Sequence, residues 1–261
     1  KATWTLSDSA LGSVEKGAVL VSSQLTRGGT YRVYAMYRNS TGAATINVKL
    51  IAPDVVDASA PPNAKDYFGG ASGGPAPNLV YPFDGTLMAP NILQLGVQWS
   101  PGSGQTVYRI QIVGPTYERS FYVGSGKCPG SQCTFELPDM DWSTLGHSSL
   151  GKTVTMTVSG SASIGGPVGT SKAVNIQFSP EDVRGGLYYF SPTIRGIKRV
   201  PLGASKPVDF ITNGDETGCA GCHAVSRDGK QVAVEFGSGQ TRTGSTVVDG
   251  AMPKNRNFAL R

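Results

Sequence analysis

At 261 residues and 27.2 kDa, the chain has room for two or three small domains at roughly 100 to 200 residues each. Its 35 glycines, 17 prolines, 16% charged and 39% hydrophobic residues describe a turn-rich β protein and exclude both a helical bundle and a disordered chain. The net charge of +5 is scattered rather than clustered, which argues against nucleic-acid binding, and no apolar run approaches the roughly 20 residues of a membrane span.

The chain starts at Lys1, with neither an initiator Met nor the apolar core of a signal peptide, and is expected to be soluble, either mature or a fragment. From the N-terminus, Thr45-Ile46-Asn47-Val48-Lys49-Leu50 puts an apolar residue at every second position, as a strand with one buried face requires. Residues 30–37 behave similarly, and Gly17 and Gly28-Gly29 mark turns between shorter runs. With Trp4, Asp8 and Leu11-Gly12-Ser13-Val14 ahead of them, residues 1–52 resemble a bacterial Ig-like domain of the group 2 type, which implies a sandwich spacer. Asn39-Ser40-Thr41 matches a glycosylation acceptor, a weak signal in a chain that looks bacterial.

Residues 53–77 carry Ala58-Ser59-Ala60-Pro61-Pro62 and Gly69-Gly70-Ala71-Ser72-Gly73-Gly74-Pro75. That composition is too poor in apolar residues to build a core and reads as a linker. Strand signals then recur at Gly96-Val97-Gln98-Trp99, Tyr108-Arg109-Ile110-Gln111-Ile112, Val154-Thr155-Met156-Thr157-Val158 and Val174-Asn175-Ile176-Gln177-Phe178. Together with Leu79-Val80-Tyr81-Pro82, they make residues 78–184 resemble a fibronectin type III or Ig-like sandwich. Within it, Cys128-Pro129-Gly130-Ser131-Gln132-Cys133 sets a Pro-Gly turn between two cysteines. A hairpin there brings them within bridging range, so a local disulfide and an oxidising compartment, periplasmic or extracellular, are expected.

Residues 185–261 hold the strongest chemical signal, Cys219-Ala220-Gly221-Cys222-His223. Two thiols at this spacing can each add to one vinyl group of a haem, and the adjacent imidazole can bind the iron. This is the attachment sequence of c-type haem. Two other chemistries compete for the same residues. Zinc would need His147 or carboxylates to complete a set of four ligands. A thioredoxin-like redox pair would need a βαβ setting that the surrounding sequence lacks.

Downstream, Ser226-Arg227-Asp228-Gly229-Lys230 leads into Gln231-Val232-Ala233-Val234, a turn and a strand. The combined Cys-x-x-Cys-His-x-x-Ser-x-Asp-Gly-Lys string resembles secreted bacterial TolB-type β-propeller proteins that carry one c-type haem. Gly186-Leu187-Tyr188-Tyr189-Phe190 and Gly196-Ile197-Lys198-Arg199-Val200-Pro201-Leu202 resemble another half-blade. The resemblance implies one covalent haem c held by Cys219, Cys222 and His223. A propeller needs several blades of about forty residues, and only the start of one is present here. An unclosed blade exposes a sheet edge, which predicts self-association or strand addition through the C-terminal segment.

For the sixth iron ligand the candidates are Met252, in a Met-Pro segment similar to that of small cytochromes c, and His147, the second of the two histidines, expected in a turn-like loop. Arg195, Lys198 and Arg199 could pair with haem propionates. The two histidines do not support a Ser/His/Asp triad, and no phosphate loop or catalytic carboxylate pair is evident. The expectation is therefore an all-β chain of tandem Ig-like sandwiches followed by a haem-bearing segment. It would pass electrons to a redox protein or an extracellular acceptor. Its rivals are a structural or adhesive assembly subunit with a haem staple, and a haem enzyme or gas binder with an open sixth position.

Overall fold

The alternation at residues 30–37 and 45–50 becomes the longest hairpin of the N-terminal region. In the computed structural model, Gly29–Tyr37 pairs antiparallel with Ser40–Val48 on one side and with Thr3–Leu6 on the other. The structure describes residues 2–22, 25–93, 96–204, 206–212, 220–227, 231–236, 242–247 and 256–258. Tyr31, Val33 and Val48 face inward onto Leu11, as a period of two demands. A short hairpin, Gly12–Glu15 with Ala18–Val21, turns at Lys16 and Gly17, both at positive φ, the geometry a two-residue hairpin turn needs.

The main core follows, and two sheets enclose it. The larger has the order Leu50–Ile51, Tyr117–Gly124, Val107–Val113, Thr153–Ser161, Val174–Phe178, Thr86–Met88, with Val55–Val56 and Gly169–Thr170 paired at its margins. The smaller has Gly96–Ser100 between Cys133–Glu136 and Asn78–Tyr81. Trp99, Ile110, Ile112, Phe121, Val154, Met156 and Ile176 fill the space between them. All four strands expected in this region are present.

Residues 53–77, expected as a linker, lie along the larger sheet. Val55 and Val56 pair in parallel with Phe121 and Tyr122, and the buried Ala64 packs with Val107 and Tyr122. Backbone pairing adds to this packing: Gly74 N–H donates to Val168 O at 3.1 Å and Val168 N–H to Ala71 O at 2.8 Å. A Cβ on Gly70 would sit 2.0 Å from the Gly166 carbonyl oxygen, so glycine is what lets the two backbones meet.

The expected disulfide joins Cys128 to Cys133, with Cα atoms 3.9 Å apart. Cys133 is buried opposite Trp99. A loop this short removes little chain entropy when closed, so Cys128→Ala should cost about 2 kcal/mol in a urea unfolding titration. A loss several times larger would mean that the bridge holds the smaller sheet in place.

The helix Asp139–Ser148 corrects the expectation of a turn-like loop around His147. It starts after Pro138, carries Asp139 and Asp141 in its first turn, and buries Trp142 and Leu145 against the main core. Acidic residues at the positive end of the helix dipole favour this start. Arg119 ties the helix to the larger sheet through Asp141, Nη1 to Oδ1 at 2.5 Å, and the Trp142 indole N–H donates to the Ile92 carbonyl.

The chain divides into two compact units, residues 1–182 and 183–261. In the second, Gly186–Ser191, Gly196–Pro201 and Val208–Ile211 form one antiparallel sheet. Ala220–Val225, Gln231–Phe236, Arg242–Val247 and Arg256–Phe258 form another. Ile197 and Ile211 from the first meet Val232 and Val234 from the second. The protein is thus mostly β, built of several sheets with one short α-helix among the described residues.

Candidate functional site

Cys222 and His223 lie on the strand Ala220–Val225, at the edge of the four-stranded sheet. The pairing slips between Ala220, opposite Phe236, and His223, opposite Val234. This leaves an extra residue at Gly221-Cys222, a bulge of the kind that re-aims side chains. Cys222 is exposed and its thiol is free.

His223 faces the other way. Directly paired residues share a face, and Val234 is buried with Ile197 and Ile211, so the half-buried imidazole lies on the core side. Its Nε2 is 3.2 Å from the Tyr188 carbonyl oxygen and its Nδ1 is 3.4 Å from that of Gly221. A neutral ring carries one N–H and can donate to only one of these carbonyls. Tyr188 is itself fixed, packed edge-on against Phe210 at 5.0 Å with the Arg199 guanidinium 5.8 Å from its ring centre.

The other expected site residues fall in different places. Cys219 and Met252 lie outside the described residues, as do Asp228, Gly229 and Lys230 of the expected turn. His147 belongs to the first unit, in the last turn of the helix. There its Nδ1–H donates to the Ser143 carbonyl at 2.8 Å and its Nε2 is 3.5 Å from Asp182 Oδ1. Of the three expected propionate partners, Lys198 already pairs with Asp209 at 2.8 Å, which raises its pKa. Arg195 sits at positive φ in the turn before Gly196, and Arg199 keeps a buried Nε without a partner.

For a c-type haem, the donor set fits by its chemistry: a free exposed thiol at Cys222, a second cysteine three positions earlier, and an imidazole next to the first. In the strand the thiol points to solvent and the ring to the core. To hold iron, His223 Nε2 must give up the Tyr188 carbonyl. Among the described residues no three His, Cys, Asp or Glu side chains gather as a metal site.

The second unit's candidate site could be named from the run Cys219 to His223 alone. One feature of the first unit could not: the side chains of Asp8, Arg27, His147 and Lys152 converge on one cavity. No short motif signals it, because its two halves, Asp8 with Arg27 and His147 with Lys152, stand more than a hundred positions apart.

No protein-family profile matches the chain, and no curated protein does either. Among solved structures it is similar to a structural-genomics protein of unknown function from Bacteroides thetaiotaomicron, at 10% identity and a TM-score of 0.24. The match covers 72% of this chain and 50% of that one, so the chain spans about half the length of that protein.

Proposed function

We propose that the chain is a secreted mono-haem c-type cytochrome that works in electron transfer. The observation that carries this reading is Cys219-Ala220-Gly221-Cys222-His223. In it Cys219 and Cys222 form the thioether links and His223 is the proximal ligand, with Met252 or His147 as the sixth. The haem, when bound, supplies one-electron ferrous–ferric chemistry.

Five features of the residues and of their reading support this. The Cys222 thiol is exposed and outside the Cys128–Cys133 bridge, so it is free to be alkylated. His223 is paired with Val234, which packs with Ile197, Ile211 and Val232, and its Nε2 reaches the Tyr188 carbonyl, an apolar flank that would exclude water from one side of the imidazole. The disulfide suits the periplasm or the exterior, the compartments where thioether attachment takes place. The β units of residues 1–52 and 78–184, read as Ig-like and fibronectin type III-like, would space the redox centre from whatever the chain is attached to. Residues 185–261, read as the start of a TolB-type propeller, would offer a strand edge to a redox protein, an extracellular acceptor or a second copy.

The test is intact mass and a pyridine haemochrome spectrum on protein purified from a host with a c-type maturation system. The expected result is the mass of one haem per chain that survives acid extraction, and its loss in the Cys219→Ser/Cys222→Ser double variant. Wild-type protein with both thiols free and no haem overturns the reading.

A further inference from the structure

The cavity of about 350 Å³ in the first unit is lined by Arg27, just ahead of the strand Gly29–Tyr37, by Thr30 within that strand, and by His147, Leu150 and Lys152 from the end of the helix and the loop after it. Its two walls are pinned together. Gly28 N–H donates to Ser148 Oγ at 2.9 Å, and Thr116 Oγ1 donates to the Ser148 carbonyl at 2.6 Å. A Cβ on Gly28 would lie 1.8 Å from the Thr116 carbonyl oxygen, so the seam closes only because this residue has no side chain.

The polar groups in this cavity are not evenly committed. Both oxygens of Asp8 are used: Oδ1 accepts from Ala10 N–H at 3.0 Å, and Oδ2 pairs with Arg27. Ser148 Oγ is spent on the Thr144 carbonyl at 2.6 Å and on Gly28. What is left over is donor capacity. The Lys152 ammonium reaches two neutral oxygens, Thr30 Oγ1 and, at 3.4 Å, Asn47 Oδ1. Among the described residues it has no carboxylate partner, and burial lowers its pKa. Arg27 spends one nitrogen on Asp8 and another, weakly, on the Gly28 carbonyl at 3.4 Å, leaving part of its five-donor fork unused. In its neutral form His147 adds no donor, since its Nδ1–H is committed to the Ser143 carbonyl while Nε2 lies 3.5 Å from Asp182 Oδ1.

We propose that this cavity binds a small organic carboxylate, held by Lys152 and Arg27 with its short apolar body against Leu150. A carboxylate supplies the counter-charge that Lys152 lacks, in the charge-assisted geometry that ammonium and guanidinium groups favour. The cavity has room for a molecule of a few carbons beyond that head group. The site lies entirely within residues 1–182 and does not rest on the haem reading.

The probe is sodium butyrate, titrated into the full chain at constant ionic strength and followed by saturation-transfer NMR, with butanol as the uncharged match. The expected result is saturable butyrate binding and no saturable butanol signal. Lys152→Met should weaken butyrate about tenfold or more, the order expected for one lost charge-assisted bond, and Lys152→Arg should largely restore it. No saturable butyrate signal, an equal response to butanol, or unchanged affinity in a folded Lys152→Met variant each overturns the proposal. If Lys152→Met does not fold, the comparison of butyrate with butanol on the unaltered chain still decides.

Discussion

Trp99→Ala is expected to cost about 3–5 kcal/mol, the range for emptying a large aromatic site, and so to remove much of a stability that for domains of this kind totals about 5–15 kcal/mol. Trp99 is fully buried on the central strand of the smaller sheet, paired with Cys133 on one side and Leu79 on the other. Its ring meets Tyr108 of the larger sheet edge-on at 5.3 Å, one of the contacts that join the two sheets, as Phe135 on Phe121 is another. Removing it opens a void that neither sheet can close without breaking its own ladder. Trp99→Phe makes the sharper comparison. The indole Nε1 has no hydrogen-bond partner, so phenylalanine keeps most of the packing and deletes an unsatisfied donor. Urea midpoints should place Trp99→Phe much nearer the unaltered chain than Trp99→Ala. Equal losses would show that the indole itself, and not the volume it fills, sets the cost.

What the sequence discloses of the fold follows a physical divide. The strands around Ile46 and Val48, Ile110 and Ile112, and Val154 and Met156 could be read because burial on one face imposes a period of two. The Cys128–Cys133 bridge could be read because a Pro-Gly turn leaves little choice of partner. The helix Asp139–Ser148 was hidden for the opposite reason. Only Trp142 and Leu145 of its apolar residues go into the core, Met140 is exposed, and Gly146 is a weak helix former. Tertiary packing, with the Arg119–Asp141 ion pair, makes this helix. Residues 53–77 read as a linker because their few apolar residues are spread thinly, whereas the stretch is held by a handful of them, such as Ala64 and Phe68 against Tyr122, together with backbone pairing and glycines that permit close approach, such as Gly70 against Gly166.

The same divide separates the two candidate sites. Chemistry that needs neighbours in sequence, as at Cys219, Cys222 and His223, is written locally. Chemistry assembled across the fold, as where Arg27 meets Lys152, has no local signature, and only the seam between the N-terminal strands and the helix end brings it together.

Alkaline titration gives the second large effect. Tyr117 is fully buried, and its hydroxyl has no hydrogen-bond partner. Burial pushes its pKa up from 10 to about 12, only partly offset by the nearby Arg119 guanidinium. In the unfolded chain the phenol ionises near its ordinary value, so from pH 10 upward the unfolded state releases a proton that the folded state still holds. Stability present below pH 10 is therefore lost as pH climbs toward 12, and a displacement from 10 to about 12 is worth roughly 2–3 kcal/mol. Burial raises Tyr108 and Tyr122 in the same direction, and they add to the slope without depending on Tyr117. The difference between the unaltered chain and Tyr117→Phe isolates this one phenol. Near pH 8 the variant should be as stable as the parent or slightly more so, since it loses only an unsatisfied hydroxyl. Urea unfolding repeated at intervals from pH 8 to pH 11.5 should then show the two diverging, with the variant falling more slowly above pH 10. Parallel curves across that range would mean that the Tyr117 phenol ionises in the folded protein as readily as in the unfolded chain, and that its hydroxyl reaches water or a partner when the protein is in solution.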